Sequence, residues 1–287
     1  MKVLILGGTG FIGSHLKPYL TTKGHHVSAL GRSIFNDPTR LQAAVNGQDV
    51  IINLTGENIG KRWSPAYKKA LIDSRVITSK KLKEAIDHCD QKPKRILAAS
   101  AIGIYPENGC DHPLDETTTG YGDNFLAEVG KAWEQENLQL TPKPVIMRFG
   151  VVLGKEGGAL AKMLPPFKLG LGGPVAGGQQ CFSWVHIQDL IRAIEFLIND
   201  DTLQGIFNIT APTPLTNYAF GKALAQTLNR PYLIPLPLWQ LKLMFGEGAQ
   251  VLTQSSAILP KRLTEQGFQF EFTQAKQALN DILKRNH

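Results

Sequence analysis

Three glycines set three apart, Gly7, Gly10 and Gly13, follow the apolar run KVLIL at residues 2–6. A strand that ends in glycines and runs into a helix makes a phosphate-binding turn. Gly7 permits the tight turn, Gly10 leaves room for a pyrophosphate against the backbone, and Gly13 lets helix and strand pack closely. The helix start then offers free N–H groups and a partial positive charge to the phosphates. Thr9, Phe11 and Ile12 lie within the same turn. The spacing is GxxGxxG, and a glycine triplet is a weak signal alone. Its place between a first strand and a helix, with a second strand following, predicts dinucleotide binding.

The second strand, near His26–Leu30, ends in ALGRS. An acidic residue there would bind ribose hydroxyls and suit NAD. Gly31, Arg32 and Ser33 stand there instead, and a guanidinium beside a hydroxyl suits a 2′-phosphate. The expected cofactor is therefore NADP(H). Asn53, Leu54, Thr55 and Gly56 follow the third strand, where the middle of such a cofactor passes.

Those groups need a scaffold. Strand-like runs at 2–6, 26–30, 49–54, 95–100 and 144–150 alternate with helical patterns near 12–23, 65–88 and 124–137. The strands read as continuous apolar runs, as expected when both faces are buried. The fold class is α/β: a Rossmann-like doubly wound parallel sheet with a second, smaller substrate lobe. The expected division gives residues 1–150 and 185–210 to the nucleotide-binding domain. Residues 151–184 and 211–287, richer in glycine and proline, form the smaller lobe, with Gly170–Gly178 roofing the cleft.

Composition narrows the class. The 287 residues are 43% hydrophobic and 19% charged, with a formal net charge of +7. No window reaches the roughly 18 apolar residues of a membrane span. There is no signal-peptide h-region, so the chain is expected to be intracellular, cytoplasmic and unprocessed. Cys89, Cys110 and Cys181 are odd in number and far apart, which predicts three incidental thiols with neither a disulfide framework nor a zinc site. No His, Asp or Glu cluster has metal spacing. The basic stretch between Lys61 and Arg95 lacks interleaved aromatics and reads as a solvated helical face, so nucleic-acid binding is not expected.

Longer blocks carry a resemblance. GGTGFIG, NLTGENI and SAIGIY resemble the extended short-chain dehydrogenases/reductases. RWSPAYKKALIDSRVITSKKL, FLAEVGKAWE, MRFGVVLGKEGGALAKMLPPFKLGLGGP, FSWVHIQDL and LPKRLTEQGFQF resemble one atypical subgroup. It is usually called epimerase family proteins, or nucleoside-diphosphate-sugar epimerases, and has a C-terminal domain of unknown function. The resemblance implies NADP(H) and a small carbonyl, alcohol or sugar-nucleotide substrate, and it is compatible with a homodimer. It also implies a Ser or Thr at the end of strand four, which orients the substrate oxygen beside the cofactor, and a Tyr–Lys pair, YxxxK, on the next helix, whose Lys also holds the nicotinamide ribose. The lysine lowers the phenol pKa so that the phenol can exchange a proton with the substrate oxygen.

Ser100 stands at the end of strand four and Lys131 at the family lysine, but four residues before Lys131 is Ala127. The catalytic phenol is missing there. Tyr105, Tyr121, His186 or a water are the open substitutes. Glu57 and Arg75 are expected to form a buried ion pair, and Arg148 to meet the cleft or a sheet-edge partner. A rival expectation is a regulatory protein that binds NADP(H) without turnover.

Overall fold

The computed structural model describes residues 1–284. In chain order, β1 (Lys2–Leu6), α1 (Phe11–Thr22), β2 (His26–Leu30), α2 (Pro38–Val45), β3 (Val50–Asn53), α3 (Pro65–Asp87), β4 (Arg95–Ala101), α4 (Phe125–Asn137) and β5 (Val145–Phe149) form an alternating series. Next come β6 (Val151–Leu153), α5 (Gly158–Lys168), β7 (Cys181–Phe182), β8 (Trp184–His186), α6 (Ile187–Asn199) and β9 (Ile206–Ile209). The chain continues through β10 (Leu215–Thr216), α7 (Asn217–Thr227), α8 (Leu238–Phe245), α9 (Gln250–Thr253), α10 (Lys261–Glu265) and α11 (Ala275–Lys284).

Six strands make one sheet in the order β2-β1-β3-β4-β5-β9, and every pairing is parallel. The expected α/β class is therefore observed. Val3, Leu4, Ile5 and Leu6 of β1 are all fully buried, which is why the strand reads as unbroken apolar sequence. One face packs α1 and α6 through Leu16, Leu20, Leu190, Ile194 and Leu197. The other packs α2 and α3 through Leu41, Val45, Leu82 and Ile86.

A separate apolar cluster joins α5, α7 and α11 through Leu160, Leu164, Phe220, Leu224 and Leu279. α5 follows β6, which leads on from the carboxyl end of β5, and β6 and β8 form a parallel pair of their own outside the main sheet. In open α/β sheets ligands bind at the carboxyl ends of the strands.

The cysteines depart from expectation. Cys110 and Cys181 form a disulfide across 71 residues of sequence, and only Cys89 is free. The pairing is invisible in the spacing because it depends on the loop after β4 folding back against β7. Among the described residues, no group of three His, Cys, Asp or Glu could hold a metal ion, and no helix is long and apolar enough to cross a membrane.

Candidate functional site

The phosphate turn has the geometry that its glycines require. Gly7 adopts φ +77°, and a Cβ there would lie 2.9 Å from the Leu54 backbone. At Gly13 a Cβ would lie 2.5 Å from the Gly8 Cα, which is the close helix–strand contact. α1 starts after Gly10 with no side-chain cap and no acidic residue in its first turn. The first N–H groups of a helix lack acceptors within it, and here no capping side chain supplies one. Phe11 lies beneath a second glycine run: Cβ atoms at Gly154 and Gly157 would each come within 2.5 Å of it. The loop after β6 thus closes directly onto the turn. The glycines of GKEGG are plain in the sequence, but their contact with Phe11 is not.

Asn53 is fully buried at the end of β3. Its Oδ1 accepts hydrogen bonds from the Thr55 N–H (3.1 Å) and the Thr55 hydroxyl. Its Nδ2 has no hydrogen-bond partner among the described residues. Thr9 meets Gly31, where an added Cβ would lie 3.1 Å from Thr9 Oγ1. Arg32 and Ser33 are both exposed just past β2.

Arg32 is paired with the Glu57 carboxylate. Lys61 Nζ lies 3.3 Å from the same carboxylate and the Tyr67 hydroxyl donates to it at 3.1 Å. Arg75 does not pair with that carboxylate as expected. Its guanidinium donates to the Glu57 carbonyl at 3.2 Å and to the Leu71 carbonyl at 2.9 Å, and it lies 4.8 Å from the Trp133 ring centroid. Burial pushes Arg75 down to about 10.

The hydrogen bond from Arg32, followed by backbone and charge contributions, holds Glu57 down to about 2 from its ordinary 4.5. A carboxylate with a depressed folded-state pKa stabilises the fold above its unfolded value. That contribution is lost as pH falls from about 4.5 to about 2. Acid unfolding followed by circular dichroism should lose part of its stability in that window. In Arg32→Ala the loss in that window should be smaller, and an unchanged acid limb would count against this assignment.

The end of β4 carries a second network. Ser100 is buried and donates to Glu134 Oε1 at 2.5 Å. Arg148, opposite Ser100 in the sheet register, grips the Glu134 carboxylate with two hydrogen bonds of 2.7 Å. Burial alone would push the Arg148 guanidinium down, but its hydrogen bonds and charge contact with Glu134 carry it upward. The Tyr105 ring lies 4.7 Å from this guanidinium, and its hydroxyl donates to Asn208 at 3.0 Å. Burial raises the Tyr105 phenol. The exposed residue at the end of β4 is Ala101, one beyond Ser100. Sequence reasoning missed Glu134, although it lies on the same helix as Lys131, three residues on.

Lys131 is half-buried, and its Nζ lies 5.6 Å from the ring centroid of the exposed Tyr121. Ala127 is fully buried. Gly122 crosses over it: a Cβ on Gly122 would stand 3.1 Å from the Ala127 Cβ and 2.9 Å from the Tyr105 carbonyl. A bond from Gly122 N–H to the Ile104 carbonyl (3.0 Å) fixes that crossing. The segment that fills the space above Ala127 therefore also carries Tyr121 to Lys131.

His186 is placed elsewhere. Its Nδ1 caps α6 by accepting from Gln188 N–H at 3.0 Å, its ring stacks on Phe272 at 3.8 Å, and its Nε2 lies 3.4 Å from Asp281. A buried helix cap accounts for it. The Gly170–Gly178 segment runs beside residues 233–236, through Leu233 N–H and Ile234 N–H to the Gly172 carbonyl (3.0 and 3.2 Å) and Leu236 N–H to the Pro174 carbonyl (2.9 Å).

An open parallel sheet, a glycine turn on an uncapped helix and a cation past β2 define a Rossmann-type α/β protein. Comparison with known proteins sharpens that. Residues 3–210 match the NAD dependent epimerase/dehydratase family, and residues 236–282 match a domain of unknown function, DUF1731. The chain belongs to the NAD dependent epimerase/dehydratase family. An epimerase family protein of Staphylococcus aureus is 36% identical over 99% of both chains. The chloroplastic SDR39U1 homolog of Arabidopsis thaliana, an epimerase family protein, is 34% identical over 99% of this chain and 87% of its own. The crystal structure of human epimerase family protein SDR39U1 (isoform 2) with NADPH superposes with a TM-score of 0.92 at 32% identity, covering both chains fully. A Bacillus anthracis dTDP-4-dehydrorhamnose reductase in complex with NADP shares the fold at TM-score 0.80 and 16% identity.

Proposed function

We propose that this chain binds NADP(H) and is an oxidoreductase or epimerase-like enzyme of a small carbonyl, alcohol or sugar-nucleotide. The uncapped start of α1, with Gly10 bare above it, is the observation that carries the reading. Arg32, where NAD-binding proteins of this fold place an acid, favours the 2′-phosphorylated form. The similar human protein crystallised with NADPH supports the same choice. The Asn53 Nδ2, without an acceptor, fits a polar ligand passing over β3. Titration calorimetry with NADPH and NADH tests this directly. Tighter uptake of NADPH is expected, and no heat from either would overturn the reading.

The nicotinamide would supply or accept hydride. The residues of this chain would handle the proton. Lys131 and Tyr121 form the only close ammonium–phenol pair on α4 and its entry among the described residues. In this reading Tyr121 stands in for the phenol missing at Ala127. Ser100 then serves as a buried tie between β4 and α4, while Ala101 leaves the substrate oxygen without a hydroxyl partner from β4. Tyr121→Phe should keep NADPH affinity and lower turnover of any carbonyl that the protein reduces by about 10²-fold or more. Equal turnover in wild type and variant would remove Tyr121 from the mechanism.

The second reading is NADP(H) binding without turnover in a regulatory protein. It is favoured by the filled space over Ala127 and by the sequestered Ser100. Nicotinamide absorbance with a panel of aldehydes, ketones and nucleotide sugars separates the two: loss of reduced cofactor with any member excludes binding alone.

A further inference from the structure

The C-terminal lobe carries an apolar ridge that the site does not use. Two neighbouring segments, 169–176 and 231–236, are joined by backbone hydrogen bonds. They expose Leu169 (75%), Leu171, Leu233 (77%) and Ile234. Pro237 then opens α8, which buries Leu241 and exposes Trp239 (65%) and Leu243 (69%). Residues 239 and 243 are four apart and share a helical face. Side chains this exposed stand open to solvent. Monomeric proteins rarely leave apolar side chains of this size grouped without a use.

The charge around the ridge is one-sided. Residues 157–188 and 202–246 contain no Asp or Glu, but they do contain Lys162, Lys168, Lys222, Arg230 and Lys242. Lys168 adjoins Leu169, Arg230 precedes Pro231, and Lys242 lies on α8 beside Leu243, all exposed. None of these three is paired with a carboxylate among the described residues. Glu247, just past α8, is paired with Lys68 at 2.7 Å.

We propose that this ridge docks on a membrane surface bearing anionic lipid. Trp and Leu would enter the interface while the flanking Lys and Arg reach the headgroups. The absence of a spanning helix does not bear on such peripheral contact. A second copy of the chain fits less well, because a two-fold contact through this face would set its unpaired cations against one another. The proposal is independent of the cofactor reading.

Trp239 provides the probe, since Trp63, Trp133 and Trp184 are buried. Full-length protein would be floated with phosphatidylcholine vesicles, with and without phosphatidylglycerol, while tryptophan emission is recorded. The expected result is flotation and a blue shift only with phosphatidylglycerol, weakening with salt. Each cation near the surface contributes roughly fivefold to partitioning. Lys168→Glu/Lys242→Glu should therefore cut binding at least about 25-fold, and Leu243→Ser should cut it independently. No flotation, or flotation indifferent to both variants, overturns the proposal. So would a lipid-free dimer that Leu243→Ser dissolves, which would give the ridge to a second copy.

Discussion

Glu134→Ala is expected to destabilise the fold by about 3–5 kcal/mol and to lower the thermal midpoint on the order of 10 °C. The cause is the group left behind. Arg148 is buried, and its two hydrogen bonds to Glu134 hold a charge that water cannot reach. Removing the carboxylate strands that guanidinium and frees the Ser100 hydroxyl at the same time. Replacing both charged partners by apolar residues of similar volume, Glu134→Leu/Arg148→Met, should recover much of the loss, since neither ion then remains uncompensated. Urea unfolding of the single and double variants measures this. A double variant no more stable than Glu134→Ala would place the cost in packing. NADPH affinity should change little in the double variant, because β4 and β5 lie across β3 from β1 and β2, which lead into the glycine turn and Arg32.

The sheet and the glycine turn after β1 were legible in the sequence because both are local. Parallel strands buried on two faces must be apolar throughout, as Val3–Leu6 and Ile51–Ile52 are. Gly7 and Gly13 answer to backbone contacts that no side chain could share. The end of β4 was less legible because its partnerships are distant. The Ser100 hydroxyl donates to Glu134 on the next helix, a partner that its place at the end of a strand does not announce. Nothing in the spacing announces that Cys110 meets Cys181, or that His186 is needed to cap α6. Ala127 alone signalled a departure. Its reason, the crossing of Gly122, comes from a loop whose path no periodicity encodes.

Glu57 shows how one charge can serve two ends. It keeps Arg32 beside the phosphate turn, and with Lys61 and Tyr67 it builds a cluster at the mouth of the loop after β3. An arriving phosphate would find the cation already placed, yet would also meet the carboxylate's repulsion. These opposed effects predict a modest change for Glu57→Gln, within about tenfold in NADPH affinity.

Arg32 has no such compensation. In Arg32→Ala, NADPH binding should weaken by roughly 30- to 100-fold, equivalent to about 2–2.7 kcal/mol and in the range of a hydrogen bond to a charged group. NADH, which lacks the 2′-phosphate, should change by no more than a few-fold. The ratio of the two affinities therefore isolates this residue from any general damage to the turn. Gly10→Val, which sets a branched side chain above the start of α1, should instead weaken both cofactors together. Added salt should narrow the NADPH advantage in the wild type, since Arg32 is half-exposed and its contact is open to screening. If Arg32→Ala leaves the NADPH-to-NADH ratio untouched, the 2′-phosphate is read elsewhere. Arg32 would then belong to Glu57 as a surface tie.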